Sequence, residues 1–346
     1  MSEPALLEVR DLDVHFPVRR PGLLRSPLTL RAVDQVSFDV RPGEVLGVVG
    51  ESGCGKSTLS RALLRLIPVT AGSVRLRGVE LTTLEKAALR PLRRSMQMIF
   101  QDPLASLDPR MTVGEIIAEP LKALLPRMDR AERQQRVLRM MQQVGLLPAQ
   151  INRYPHEFSG GQAQRIGIAR ALVVAPELVV CDEPVSALDV SIKSQVINLL
   201  LDLRAEHGLT YIFVAHDLAT VRHIADRVMV LYMGRVMEIT DRDALYARPL
   251  HPYTRLLLSA VPIPDPALAR RRRVAPAREE LPSPLALPSG CAFRTRCPLA
   301  DARCVAERPV LREIDGRYVA CHHAEAAGAE RAEGPARAGA LGYDPT

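Results

Sequence analysis

The chain has 346 residues and a formal net charge of +7, from 46 lysines and arginines against 39 aspartates and glutamates. A hydrophobic fraction of 47% excludes a disordered chain, and the length allows two domains of roughly 100–200 residues. No apolar run approaches the roughly 18 residues of a membrane-spanning helix, and the N-terminus lacks the pattern of a signal peptide. We therefore expect a soluble chain, cytoplasmic or held at a membrane through a partner.

The composition also argues against nucleic acid as a partner. Aromatic residues make up 4% of the chain and tryptophan is absent, whereas proteins that bind single strands stack bases on aromatic rings. The basic excess is small and comes partly from two patches, at 19–31 and 270–273.

The first half of the chain alternates strand patterns with helical patterns. Period-two alternation or continuous apolar runs predict strands at 7–10, 14–16, 33–40, 45–49 and 96–100. Residues 17–29, rich in proline and arginine, indicate a loop, and 56–67 has a helical pattern.

From about 102 to 175 the pattern becomes helical, and Asp129 with Glu132 resembles a capping box opening a helix that Gly145 ends. Alternation then resumes with strands at 178–181, 211–215 and 228–232 and helices at 190–206 and 219–225. This order predicts an α/β core with a helical insertion.

Proline-rich residues 262–266 mark a boundary, which a basic linker and a group of cysteines follow. We therefore predict a first domain at 5–260, with its helical subdomain at about 102–175, and a C-terminal extension at 261–323. The Ala/Gly/Glu/Arg-rich tail at 324–346 is expected to be disordered.

The segment 50–57, Gly-Glu-Ser-Gly-Cys-Gly-Lys-Ser, matches the P-loop pattern G-x-x-x-x-G-K-[ST] between a strand and a helix. A chance glycine-rich turn is the alternative. In a P-loop, Lys56 reaches the β- and γ-phosphates and Ser57 ligates Mg²⁺. The expected nucleotide-binding residues are Gly50, Glu51, Ser52, Gly53, Cys54, Gly55, Lys56, Ser57 and Thr58.

A second acidic element follows the apolar run 178–181, whose strand would deliver Asp182 and Glu183 at its end. Asp182 is expected to hold Mg²⁺ through water, and Glu183 to act as the general base on the attacking water. Cys181 and Cys54 are interpreted as incidental to this chemistry.

Ser159, Gly160, Gly161 and Gln162 begin a helix and form a second phosphate-binding N-terminus, with an ordinary helix cap as the alternative. Two phosphate cradles in one chain indicate a nucleotide held between two chains.

Together these motifs resemble the ATP-binding subunits of ABC transporters, which implies an α/β P-loop ABC nucleotide-binding domain: a RecA-like core plus a helical subdomain, here with a small Cys-rich C-terminal extension. By that resemblance Gln101 is the Q-loop glutamine, catalytic with Glu183 and His216 and also a Mg²⁺ ligand. His216 is the switch histidine, and Asp189 belongs to the D-loop. Phe16 lies near the position of the adenine-stacking residue, although a core-facing Phe is equally compatible with the pattern.

Segments 101–111, 153–157 and 251–254 are similar to oligopeptide and dipeptide importer ATPases, most of all to the F-type subunits of oligopeptide permeases. The resemblance implies that ATP and Mg²⁺ power peptide uptake at the cytoplasmic face of the bacterial inner membrane. The implied partners are a second ABC ATPase, favoured to be a paralogue, two membrane-spanning permease subunits joined through coupling helices and, indirectly, an extracytoplasmic peptide-binding protein. Met111, Ile116 and Ile117 are expected either to contact the coupling helices or to pack within the helical insertion. A soluble non-transport ABC ATPase and an importer of another solute such as nickel are the alternatives.

Four cysteines, Cys291, Cys297, Cys304 and Cys321, follow the spacing C-x5-C-x6-C-x16-C. The short C-x2-C knuckles common in structural zinc sites are absent, which leaves an iron–sulfur cluster, zinc and disulfides open. The subfamily resemblance implies a [4Fe–4S] cluster with a structural role.

Overall fold

The structure is a computed structural model that describes residues 4–18, 28–261 and 282–329. The expected boundary at 262–266, the basic run at 270–273 and most of the expected tail lie outside these ranges.

A four-stranded antiparallel sheet covers one side of the molecule, in the order β2-β1-β4-β5. Its strands are β1 (Leu7–Val18), β2 (Leu28–Val40), β4 (Ala71–Leu76) and β5 (Val79–Glu80). β1 is one strand where the sequence pattern predicted two, because register shifts between Val9 and His15 interrupt the alternation without ending the pairing with β2. At the edges of the expected loop at 17–29, Pro17 and Val18 belong to β1, and Leu28 and Thr29 belong to β2.

The second sheet has eight strands in the order β11-β12-β10-β9-β3-β8-β7-β6. Its strands are β3 (Val45–Val49), β6 (Met96–Ile99), β7 (Leu178–Asp182), β8 (Thr210–Ala215), β9 (Arg227–Tyr232), β10 (Arg235–Asp241), β11 (Arg312–Ile314) and β12 (Arg317–Val319). The five strands from β9 to β6 run parallel to one another, and β10, β12 and β11 continue the sheet in antiparallel pairs. The parallel strands are buried on both faces, as their continuous apolar sequences predict.

Helices connect many of the strands along the chain, and several of them lie in the segment between β6 and β7. They are α1 (Lys56–Leu63), α2 (Lys86–Leu92), α3 (Val113–Leu124), α4 (Arg130–Gln143), α5 (Gly160–Leu172), α6 (Val190–His207), α7 (Leu218–Ile224), α8 (Arg242–Ala247), α9 (Pro252–Ser259), α10 (Ala302–Ala306) and α11 (Ala324–Ala329). Helix α1 is shorter than the predicted 56–67.

Helices α3, α4 and α5 pack together as the expected helical insertion. Ile116 and Ile117 are buried in its core, so they pack within the insertion, while Met111 is half-buried. Asp129 caps α4 by accepting from Ala131 N at 2.9 Å, whereas Glu132 pairs with Arg136. The cap is therefore a single side chain rather than the reciprocal box that the sequence indicated.

The C-terminal segment, residues 282–329, joins the main sheet because β12 pairs with β10 at Glu238↔Val319 and Ile239↔Tyr318. Its final described helix, α11, begins at Ala324, which is fully buried. Residues 324–329 of the expected disordered tail are therefore helical, and the rest of that segment lies outside the described part of the chain.

Gly47, in the middle of β3, allows α7 to pack closely on the sheet. A Cβ at this position would lie 2.5 Å from Val221 Cγ1 and 3.0 Å from Ala225 Cβ. Strand β3 leads into the P-loop and α7 follows His216, so this contact sets the distance between two parts of the site.

We expect Gly47→Ala to lower the free energy of unfolding by about 1–3 kcal/mol, because the added methyl overpacks the β3–α7 contact. The matched control is Gly167→Ala in α5, where a Cβ meets nothing within 4 Å and alanine favours the helix. Denaturant unfolding of both variants measures the difference. Equal stabilities would contradict the assigned β3–α7 packing.

Candidate functional site

The P-loop turns from the end of β3 into α1. Gly55 adopts φ 105°, and a Cβ there would lie 2.1 Å from Ala32 O, so only glycine fits. Lys56 is 4% exposed, and its Nζ donates to Gly50 O at 2.8 Å and to Glu51 O at 3.0 Å. The loop thus curls around its own ammonium at a helix N-terminus, an arrangement suited to phosphate.

Asp182 ends β7 directly beside the start of α1. The Ser57 hydroxyl donates to Asp182 Oδ1 at 3.0 Å, and Asp182 is 1% exposed. Burial raises the pKa of the Asp182 carboxyl, and the hydrogen bond from Ser57 opposes that rise. A hydroxyl and a carboxylate at the phosphate-binding end of α1 are the hard oxygen ligands that suit Mg²⁺.

Glu183 has a left-handed backbone conformation. Its φ is 46°, its amide N donates to Val214 O at 3.0 Å, and its side chain is 14% exposed. Glu183 Oε2 lies 3.1 Å from Gln101 Nε2 and 3.3 Å from His216 Nδ1. A positive φ costs conformational energy in a non-glycine residue, and such residues cluster at functional sites. Here the residue with this conformation, Glu183, meets two other sequence-predicted residues, Gln101 and His216.

These residues line one cleft of about 560 Å³. The sequence-predicted residues at its wall are Phe16, Ser52, Gly53, Gly55, Lys56, Ser57, Thr58, Gln101, Glu183 and His216. Sequence reasoning missed the residues that complete the wall: Leu30, Arg31, Ala32, Met233, Gly234, Pro284 and Leu287. Leu30 reaches the wall because it pairs with Phe16 across β1 and β2.

Three predicted P-loop residues are placed away from the cleft wall. The side chain of Glu51 faces the C-terminal segment, where it pairs with Arg296. Cys54 is 4% exposed, with its Sγ 3.9 Å from Lys56 Nζ, and a Cβ at Gly50 would lie 2.2 Å from Leu231 O. Their contribution is therefore to the shape of the loop.

The N-terminus of α5, which the sequence predicted to be a second phosphate-binding element, does not line this cleft. Ser159 caps α5 in a reciprocal box with Gln162 and is exposed, as are Gly160 and Gln162. Gly161 is held against α6, where a Cβ would lie 2.6 Å from Ile192 Cγ2. The D-loop residue Asp189, which precedes α6, is also exposed. This surface is open to a second molecule.

The four C-terminal thiols lie close enough to interact electrostatically with one another. Cys291, Cys304 and Cys321 are buried and Cys297 is half-buried. Burial, with a contribution from neighbouring thiols, raises the pKa of Cys297 to about 11 and that of Cys321 to about 12. Because ligation requires thiolates, a bound cation must offset this cost.

The spacing of these ligands bears on the kind of metal centre. Zn–S bonds of about 2.3 Å in a tetrahedron bring the sulfurs to about 3.8 Å from one another. Within the described ranges, one group of three or more ligating side chains has its ligand atoms all within 4.8 Å, namely Asp301, Cys304 and His323. No three of the four thiols are as close as a single zinc ion would need.

Comparison with known proteins identifies the class. The family model described as "ABC transporter" matches residues 33–186, and the one described as "Oligopeptide/dipeptide transporter, C-terminal region" matches residues 237–304. The oligopeptide transport ATP-binding protein OppF of Escherichia coli strain K12 is 57% identical over 91% of this chain and 95% of its own length. A putative oligopeptide transport ATP-binding protein, YkfD of Bacillus subtilis strain 168, is 54% identical over 93% and 96%.

Solved structures show the same fold. The dimeric ATP-binding cassette MJ0796 bound to ADP and Pi superposes with a TM-score of 0.61 and 28% identity, over 68% of this chain and 98% of that one. CbiO1 of Clostridium perfringens gives a TM-score of 0.61 at 25% identity, over 71% and 92%. The chain belongs to the ABC transporter ATPases, in the branch that carries the oligopeptide/dipeptide transporter C-terminal region. This membership confirms the ATPase and importer interpretation and does not support the non-transport alternative.

No helix in the described ranges has both the length and the apolar character needed to cross a membrane. The relatives named above are ATP-binding subunits of transport systems.

Phe16 is half-buried at the wall of the cleft, so the structure allows it to meet an adenine ring. We expect Phe16→Ala to weaken ATP binding about tenfold, because base–aromatic stacking contributes about 1–3 kcal/mol. Binding of inorganic tripolyphosphate, which has no base, should be unchanged. Calorimetric titration with both ligands makes the comparison, and unchanged ATP affinity would assign Phe16 to the core.

Proposed function

We propose that this chain hydrolyses ATP to power peptide import, in a composite site shared with a second ABC ATPase. The observation that carries the proposal is the separation of two phosphate-binding elements. P-loop residues, Glu183 and His216 line the cleft, with Asp182 hydrogen-bonded to Ser57 beside it, whereas the Ser159 cap is exposed and does not line the cleft. Facing chains would place that cap of one over the cleft of the other.

In the cleft we assign Glu183 as the general base. Its Oε2 takes the proton of a water molecule as the water oxygen forms a bond to the γ-phosphorus and the bond to the bridging oxygen of ADP breaks. Gln101 and His216, at 3.1 and 3.3 Å from that oxygen, orient the carboxylate and the water. Lys56 binds the phosphates, and Ser57 and Asp182, assisted by Gln101, would hold the Mg²⁺. The metal, when bound, neutralises charge on the phosphoryl oxygens.

We propose that the partners are those of a peptide importer: a paralogous second ATPase, two membrane-spanning permease subunits and, indirectly, an extracytoplasmic peptide-binding protein. Phe100 and Leu104 flank Gln101 and are 39% and 48% exposed, which gives a coupling helix an apolar contact next to the catalytic residues. ATP would close the ATPase pair and hydrolysis would reopen it, a two-state equilibrium biased by ligand. The chain would then work at the cytoplasmic face of the inner membrane.

For the C-terminal extension at 261–323 we propose a [4Fe–4S] cluster held by Cys291, Cys297, Cys304 and Cys321. Two observations support it: the thiols gather in one region, and they are spaced more widely than one zinc ion needs. The cluster would stabilise a segment with little apolar core of its own. Zinc held by Asp301, Cys304 and His323 is the competing arrangement.

We expect Glu183→Gln to abolish ATP turnover while ATP binding persists and a closed dimer accumulates, because the amide cannot accept the water proton. Phosphate release, nucleotide titration and size-exclusion chromatography measure the three effects. Glu177→Gln is the control, since Glu177 lies at the opposite end of β7 and pairs with Arg77. Normal turnover in the Glu183 variant would overturn the assignment of the base.

We expect the protein purified without oxygen to be brown, with stoichiometric iron and acid-labile sulfide, and Cys297→Ser to lose both. The control is Cys181→Ser, which changes a buried cysteine in β7 outside the group. Colourless protein with one zinc that Asp301→Asn removes would assign the competing site instead.

A further inference from the structure

An ion pair joins the C-terminal segment to the P-loop across 245 residues of the chain. Arg296 Nη1 donates to Glu51 Oε2 at 2.7 Å, and Nη2 donates to Glu51 Oε1 at 2.9 Å. The Arg296 side chain is 6% exposed and that of Glu51 is 25% exposed. A two-pronged contact of this kind is directional as well as strong, and its burial shields it from solvent.

The guanidinium of Arg296 also lies over two aromatic rings. It lies 5.9 Å from the ring centroids of both Tyr232, at the end of β9, and Phe293. Phe293 in turn packs edge-on against Tyr232 at 5.4 Å and tilted against Tyr253 at 5.3 Å. The segment that carries Cys291 and Cys297 is therefore fixed to the sheet at the point where Arg296 reaches Glu51.

Glu51 also contacts the phosphate-binding lysine, through its backbone. Its backbone N donates to Tyr253 Oη at 3.0 Å, and its backbone O accepts from Lys56 Nζ at 3.0 Å. Arg296 thus fixes the side chain of the residue whose carbonyl positions Lys56. Arg296 also neutralises a carboxylate in a loop that must receive polyanionic phosphate, and an unpaired Glu51 would repel that ligand.

We propose that Arg296 is a positioning residue for nucleotide binding, and that it couples the position of Cys297, one of the four C-terminal thiols, to the affinity for ATP. Arg296 directly precedes Cys297, so a displacement of that cysteine moves the guanidinium away from Glu51. Coupling of this kind is reciprocal: nucleotide that fixes the P-loop also fixes the segment around Cys297.

The test is ATP affinity in Arg296→Gln, measured by equilibrium titration and by steady-state turnover. We expect the dissociation constant and the KM for ATP to rise about tenfold, within the 5–150-fold span of typical couplings, while kcat at saturating ATP is retained. Adding Glu51→Gln to Arg296→Gln should recover much of the affinity, since it removes the unpaired carboxylate. Arg303→Gln is the matched control, because its pair with Glu307 in the same segment is about 60% exposed.

A second readout follows the coupling in the other direction. In the wild type, Mg²⁺ and ATP should slow the reaction of the C-terminal thiols with a thiol reagent in metal-free protein, and this protection should vanish in Arg296→Gln. If Arg296→Gln fails to fold, Arg296→Lys takes its place. Lysine keeps the positive charge but cannot make the paired hydrogen bonds to Glu51, so this variant should show a smaller loss of affinity.

Wild-type affinity in the Arg296 variants, together with unprotected thiols in the wild type, would overturn the proposal. Binding of ATP by the wild type checks the nucleotide site itself, so failure of the site and failure of the coupling are distinguishable.

Discussion

The parallel pairing of β3, β8, β7 and β6 is the constraint on which the nucleotide cleft depends. Val49 pairs with Ala215, Asp182 with Val214, and Ile99 with Cys181, so the carboxyl ends of the four strands meet at one edge. The loops that leave this edge carry Gln101, Lys56, Glu183 and His216 into the same space. The chemistry of the site therefore follows from strand order, since the chain separates these residues widely and the sheet reunites them.

The sequence was informative where a chemical group directly follows a buried strand. The P-loop, Asp182 and Glu183 each come after an apolar run, so the ends of those strands were predictable to within a residue or two. The role of His216 was predicted only from the resemblance to ABC transporter ATPases. The long antiparallel strands were less so, because register shifts interrupt the alternation of β1 while its hydrogen bonding continues. Local sequence patterns predict which side chains are buried, but they indicate only indirectly which strands pair with one another.

Contacts with the C-terminal segment had no local signal at all. Pro284 and Leu287 at the cleft wall lie in a proline-rich stretch that has the composition of a linker. Arg296 is one of two arginines between Phe293 and Pro298, and charge in such a stretch normally indicates a solvated surface. Only the folded chain shows that its guanidinium is buried against aromatic rings and a carboxylate.

The same ion pair has a consequence for the order in which the protein matures. Glu51 and Arg296 are 245 residues apart, and a chain emerges from the ribosome at about 5–20 residues per second. The strands from β3 to β9 are complete well before Arg296 is synthesised, so the core can form around a P-loop that still lacks its final support. Acquisition of the Arg296 contact, and of the nucleotide affinity that it supports, is then a late event of biosynthesis.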